Sequence, residues 1–246
     1  MGRKTRKYVL TGLMTALVFI LTYTFKVPVP YTSGYIHLGD SMIYLSVLVL
    51  GPIFGAFASG VGSMMADILA GYSQYAIPTL VIKALMALIM GLMLSFKGRK
   101  TSIASVLAAL LVWVGFLTGT LLFLNQQVTV IGSAKVLEMV EGDAETLRRL
   151  PLYFYASVAL LIIVFALAIC FISRRQNSGF STLKAVVGMS AAGLCMVMGY
   201  YFVECLMYSP LAAVFSVPMN LIQFFGGVIA ATLLAPALKK ARLISV

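Results

Sequence analysis

Residues 40–71 read DSMIYLSVLVLGPIFGAFASGVGSMMADILAG. They form one long apolar stretch, broken once by Gly51-Pro52 and bounded by two carboxylates, Asp40 and Asp67. The part before the break, 40–50, is short. The part after it, 53–71, is long enough to cross a hydrocarbon core of about 30 Å at 1.5 Å per residue. Whether the stretch is one kinked pass or two decides the topology of the chain. Proline and glycine at the break fit either a kink or a turn, so the answer has to come from the flanking charges.

The rest of the chain supplies them. It has 246 residues, 61% apolar and 10% charged, with a mean hydropathy of +1.03. Soluble domains carry roughly 45–50% apolar and about 25% charged residues. The excess apolar surface has to face lipid, which makes this an all-α polytopic membrane protein and excludes a soluble enzyme, a disulfide scaffold and a disordered tail. Further apolar runs fall at about 8–25, 78–96, 103–124, 152–172, 185–206 and 218–237. The first follows a basic stretch, as in a signal peptide. No small-x-small cleavage site precedes Lys26, so it reads as a retained span.

The net charge is +11, from 18 Lys and Arg against 7 Asp and Glu. With 40–71 as two passes, Arg3, Lys4, Arg6, Lys7, Lys97, Arg99, Lys100, Arg174, Arg175, Lys184, Lys239, Lys240 and Arg242 share one face. No Asp or Glu accompanies them. The excess of Lys and Arg in cytoplasmic loops then places both termini inside and gives eight segments. A single pass would scatter the same charges over both sides. The basic balance therefore describes orientation, with the lipid bilayer as partner and no nucleic acid. The outward connections are 26–39, 72–77, 125–151 and 207–217. The third carries Glu138, Glu141, Asp143, Glu145, Arg148 and Arg149, which reads as a solvated loop.

Ionisable groups inside apolar spans cost several kcal/mol and mark functional sites by default. The candidates are Asp40, Asp67, Lys83 and Glu204, with the neutral pair Asn220 and Gln223. Thr79 and Lys83, Tyr200 and Glu204, and Asn220 and Gln223 are three or four residues apart, so each pair shares a helix face. Four helices thus bring polar groups to the outer half of the membrane, the layout of a small-molecule site in a bundle. The plainer alternative is a buried Asp67–Lys83 pair with Glu204 in interfacial water. Tyr31, Tyr35, Tyr72, Tyr75, Tyr200, Tyr201 and Tyr208 lie at the same level, where they suit either an interfacial belt or a flat polar ring.

Small residues recur at fourth positions, as Gly12 and Ala16 and as Gly51, Gly55, Ser59 and Ser63. Such faces permit close helix approach. The second set suits packing inside the bundle and the first a partner. Cys170, Cys195 and Cys205 have no metal-ligand spacing, and one histidine, His37, offers no His-based metal site. No phosphate-binding GxxxxGK[ST] loop, GxSxG or HExxH occurs. A catalytic set is not visible, so the chain reads as a non-enzyme with no cofactor of its own.

The segments Gly34-Tyr-Ile-His-Leu-Gly-Asp-Ser-Met-Ile-Tyr-Leu45, Leu50-Gly-Pro-Ile-Phe-Gly-Ala56, Gly62-Ser63-x-x-Ala66-Asp67-x-x-Ala70-Gly71-Tyr72 and Pro78-Thr79-Leu80-x-x-Lys83, taken in order, carry a resemblance. So do Gly199-Tyr200-Tyr201-x-x-Glu204 and Pro218-x-Asn220-Leu221-Ile222-Gln223-x-x-Gly226. Together they resemble the substrate-binding S components of energy-coupling factor (ECF) vitamin transporters, riboflavin-type subgroup. The resemblance implies capture of a water-soluble vitamin or precursor by Asp67, Tyr72, Thr79, Lys83, Tyr200, Glu204, Asn220 and Gln223, under a lid formed by 26–39. It also implies docking through Gly12 and Ala16 on a transmembrane T subunit that works with two ATPase subunits, which use the ATP. That family has six helices, so 8–96 and 185–240 would be its core within one domain, 1–246. An added hairpin would occupy about 103–172. A stand-alone ion-coupled secondary transporter carrying protons or ions on Asp67 or Glu204 is the alternative from another class.

Overall fold

The computed structural model describes residues 2–29, 32–96, 111–123, 125–126, 144–175 and 180–244. Tyr31, Lys97, Arg99 and Lys100, the 103–110 part of the expected hairpin, and Glu138, Glu141 and Asp143 of the acidic loop lie outside them.

Among the described residues there are eight α-helices: α1 (Arg3–Thr24), α2 (Asp40–Leu50), α3 (Pro52–Leu69), α4 (Ala76–Ser95), α5 (Leu111–Phe123), α6 (Ala144–Arg175), α7 (Phe180–Met207) and α8 (Pro210–Lys240). Five are long and apolar enough to cross a membrane, namely α1, α3, α4 (with the 3-10 turn Ser73–Tyr75 before it), α7 and α8. The only strands among the described residues, β1 (Lys26–Pro28) and β2 (Tyr35–His37), pair antiparallel with Val27 opposite Ile36.

The 40–71 stretch is a helical hairpin. Gly51 reverses the chain at φ 81°, a backbone region that disfavours any residue with a Cβ. Pro52 then opens α3 at a first-turn position where its missing amide costs nothing. Folded back, Ser46 of α2 meets Ser59 of α3 (Oγ···Oγ 3.2 Å). A Cβ on Gly55 would sit 3.1 Å from the Val47 backbone. The stripe of Gly55 and Ser59 thus packs within the bundle.

With 11 residues, α2 is only about 16 Å long, half the hydrocarbon thickness. It lies at the centre, against α1, α3, α4 and α8. The β-hairpin leads into its N-terminal end, which brings Tyr35 and His37 into the bundle. The remaining core contacts pair α3 with α4, α1 with α3, α4 with α7, and α7 with α8.

Helices α5 and α6 rest on the outside of that core through aromatic rings. Trp113 stacks on Phe224 with centroids 5.7 Å apart, Phe116 meets Tyr201 edge-on at 5.6 Å, and Phe165 stacks on Phe225 at 4.3 Å. Offset and edge-on pairs of this kind each add about 0.5–1.5 kcal/mol beyond the area they bury.

Close backbone approach is strictest at Gly62, where a Cβ would lie 2.6 Å from the Thr15 carbonyl oxygen of α1. Because the obstacle is backbone, Gly62→Ala should cost about 1–3 kcal/mol, read as a lower thermal midpoint in detergent. The matched control is Gly12→Ala, since a Cβ there meets nothing within 4 Å. It should leave the midpoint unchanged or raise it slightly.

Candidate substrate-binding site

A narrow cavity lies under the β-hairpin, lined by Val29, Gly34, Tyr35, His37, Asp67, Tyr75, Thr79, Tyr200, Glu204, Asn220 and Gln223. Each helix delivers its residues by register. Asp67 sits near the C-terminal end of α3, Thr79 near the start of α4, Tyr200 and Glu204 one turn apart on α7, and Asn220 and Gln223 three residues apart on α8. Of the eight residues picked out by sequence, Asp67, Thr79, Tyr200, Glu204, Asn220 and Gln223 share this cavity. The centre of a water molecule can occupy about 20 Å³ of it, room for one or two waters. In this closed form it admits no ring.

The other two lie just outside. Tyr72 packs its ring against Tyr35 (centroids 4.5 Å apart) and so backs the wall. Lys83 is fully buried, and its Nζ donates to Asp40 Oδ1 at 2.5 Å and reaches Met196 Sδ at 3.2 Å. Its partner is therefore Asp40 from the centre of the bundle and not Asp67, as the plainer sequence alternative supposes. The pairing gives Asp40 its role. An ion pair in a low-dielectric interior is tolerated only when both charges are satisfied, and Gln223 Nε2 completes this one by donating to Asp40 Oδ2 at 3.0 Å.

Gln223 also ties the lid down. Its Oε1 accepts the His37 backbone N–H at 2.9 Å. Tyr35 donates its hydroxyl to Asp67 Oδ1 at 2.6 Å. Gly34 comes so close to Glu204 and Tyr75 that a Cβ would lie 3.3 Å from each. The Tyr75 hydroxyl points to Glu204 Oε1 at 3.4 Å, and the hydroxyls of Thr79 and Tyr200 share a hydrogen bond of 3.0 Å. The hairpin thus touches both cavity carboxylates.

Tyr35, His37 and Tyr75 enter the site although sequence reasoning puts none of them among the ligand contacts. Tyr35 and His37 are two apart in β2 and so face the same way, but a three-residue strand gives no sequence signal that would have shown it.

His37 is buried in β2. Its Nδ1 accepts the Gly39 N–H at 3.0 Å, which leaves the proton of the neutral ring on Nε2. Burial, reinforced by the Lys83 ammonium, pushes its pKa from 6.5 down to about 3. Above pH 6.5 the ring is neutral whether the hairpin is docked or free. As pH falls from 6.5 toward 3, the free form takes up a proton that the docked form refuses, so docking weakens. The His37 contribution should appear as a difference between the unaltered chain and His37→Gln: relative to the variant, proteolysis of the unaltered chain within 26–39 should accelerate from pH 7.5 to pH 5.

The fold and site define a bundle with five helices able to cross a membrane and a closed polar cavity beneath a β-hairpin. The chain is a member of the family described as "ECF-type riboflavin transporter, S component", whose model matches residues 2–140. That segment holds the β-hairpin, Asp40, Asp67, Thr79 and Lys83, while Tyr200, Glu204, Asn220 and Gln223 lie beyond it. Membership makes the chain a membrane transport protein and not an enzyme.

Two curated relatives are similar. One, from Pyrococcus woesei, is an uncharacterized protein in a gap 3′ region, 43% identical over 30% of this chain and 49% of its own length. The other is the thiamine precursor transporter HmpT of Lactococcus lactis subsp. cremoris (strain MG1363), 31% identical over 50% of this chain and 72% of its own. The chain thus spans about half the length of the first relative. No solved structure matches.

Proposed function

We propose that this chain is the substrate-capture subunit of an ECF-type importer, taking up a water-soluble vitamin or vitamin precursor with a B-group ring. The observation that carries this reading is the convergence of Asp67, Thr79, Tyr200, Glu204, Asn220 and Gln223 from four helices on one cavity closed by a hairpin. Family membership supports the vitamin, and so does the relative described as a thiamine precursor transporter.

In this reading the hairpin lifts to admit the ring from outside, breaking the Gln223–His37 and Tyr35–Asp67 bonds. The carboxamides of Asn220 and Gln223 then read the polar edge, and Tyr35, Tyr72 and Tyr200 supply flat faces. Both termini face the cytoplasm. A T subunit docks at Gly12 and Ala16, which lie exposed on α1 with no neighbour near Gly12, and two ATPase subunits hydrolyse the ATP. The chain then needs no nucleotide site or cofactor of its own.

Uptake of a labelled vitamin by cells tests the energy source. Import should require the T and ATPase subunits and should fail with Gly12→Trp, while binding to the purified Gly12→Trp chain stays intact. Import that persists without those subunits and collapses with the proton gradient would establish the ion-coupled alternative.

A further inference from the structure

Among the described residues the cavity walls carry two acids, Asp67 and Glu204, and no Lys or Arg. Asp67 and Glu204 are each 3% exposed. One oxygen of each, Asp67 Oδ2 and Glu204 Oε2, has no hydrogen-bond partner. Lys83 is the one buried Lys or Arg among the described residues, and Asp40 already occupies it at 2.5 Å. The groups beside the two acids are hydroxyls, those of Tyr35 and Thr79 at Asp67 and those of Tyr75, Thr32 and Ser216 at Glu204, while the Lys83 ammonium acts on Asp67 without forming an ion pair with it. His37 is no substitute cation, because its ring is held neutral.

A carboxylate oxygen left without donors in a low-dielectric site is costly. A ligand that supplies donors relieves the cost. One that brings a further negative charge multiplies it.

We infer that the site selects a nitrogen heterocycle presenting amino or cationic nitrogen donors to Asp67 and Glu204, and rejects carboxylated or phosphorylated vitamins. This rests on the proposed function and narrows it from a vitamin ring in general to a class defined by charge. Asn220 and Gln223 add two neutral amides that accept either a donor or an acceptor edge and so do not discriminate by charge.

Matched probes separate charge from ring shape. Calorimetric titration of the full-length chain in detergent would use thiamine with thiamine monophosphate, riboflavin with riboflavin 5′-phosphate, and nicotinamide with nicotinate. In any pair that binds, the uncharged or cationic member should bind ~10- to 100-fold more tightly than the anionic one, the scale of charge-assisted hydrogen bonds lost and left unmade. The isosteric double variant Asp67→Asn/Glu204→Gln should lose most of that discrimination. Size exclusion and thermal midpoint would establish that it is folded.

An anionic member that binds as tightly as its partner overturns the inference, as does discrimination that survives in a folded double variant. Either result leaves the capture function standing. Absence of binding for all six probes by folded protein instead overturns the vitamin-capture reading, and the inference with it.

Discussion

Lys83→Met should be among the most damaging single substitutions in the chain. It strips the counter-charge from Asp40, which is completely buried and held 2.5 Å from the Lys83 ammonium. Breaking a buried ion pair from one side costs about 3–5 kcal/mol, because the abandoned charge cannot reach water. At the scale of a chain this size the thermal midpoint should fall by roughly 10 °C or more. The damage should also spread to the lid, since Asp40 orients Gln223 and Gln223 holds the His37 backbone.

A second substitution gives the test its sign. In Asp40→Asn/Lys83→Met no charge remains to be buried, the Asn carbonyl or amide can still meet Gln223, and the new methionine lies beside Met196. The double variant should recover most of the lost midpoint. Equal loss in single and double variants would mean that the pair matters for its shape and not for its charge.

Glu204→Ala and Asn220→Ala should have the largest effects on ligand binding. Each removes a polar wall of the cavity near the lid without touching the Asp40–Lys83 pair. Glu204 has an oxygen with no partner in the closed form, so its loss costs the fold little. Asn220 makes only a long bond to Ser216 Oγ, at 3.4 Å. Loss of a hydrogen bond to a charged group costs about 1.5–3 kcal/mol, and to a neutral one about 0.5–1.5 kcal/mol. Affinity should therefore drop on the order of 10- to 100-fold for Glu204→Ala and several-fold to tenfold for Asn220→Ala. Equilibrium binding by the purified variants, with their thermal midpoints beside it, checks both. Unchanged affinity in both would remove these residues from the site.

The architecture was largely legible because lipid imposes a simple rule. Apolar runs must be helices, and Lys and Arg sort to one side. That rule alone turns Gly51-Pro52 into a reversal, which the positive φ of Gly51 and the Ser46–Ser59 contact bear out. Helical spacing likewise groups Tyr200 with Glu204 and Asn220 with Gln223, and the cavity contains all four.

Pairing between elements was not legible. Spacing puts Lys83 on a face of α4 but does not say whether Asp40 or Asp67 lies opposite, and the answer depends on α2 occupying the centre of the bundle. The β-hairpin was also hidden. Its strands are three residues each and one ends in proline, too short to show alternation. The stretch 26–39 reads as a loop, and with it Tyr35 and His37 escape the list of contacts. Helices α6, α7 and α8 run to 32, 28 and 31 residues, longer than their apolar runs. Helical hydrogen bonding does not stop where the hydrophobic pattern ends.

In the proposed function the cavity under the hairpin holds a vitamin-like ring compound. Mass spectrometry of the small molecules that leave the purified chain on denaturation tests it most directly. The expected result is a nitrogen heterocycle, released in near-stoichiometric amount by the unaltered chain and depleted at least tenfold from folded Glu204→Ala. Release of the same compound in equal amount by folded Glu204→Ala would contradict the account, because the ligand would then sit elsewhere.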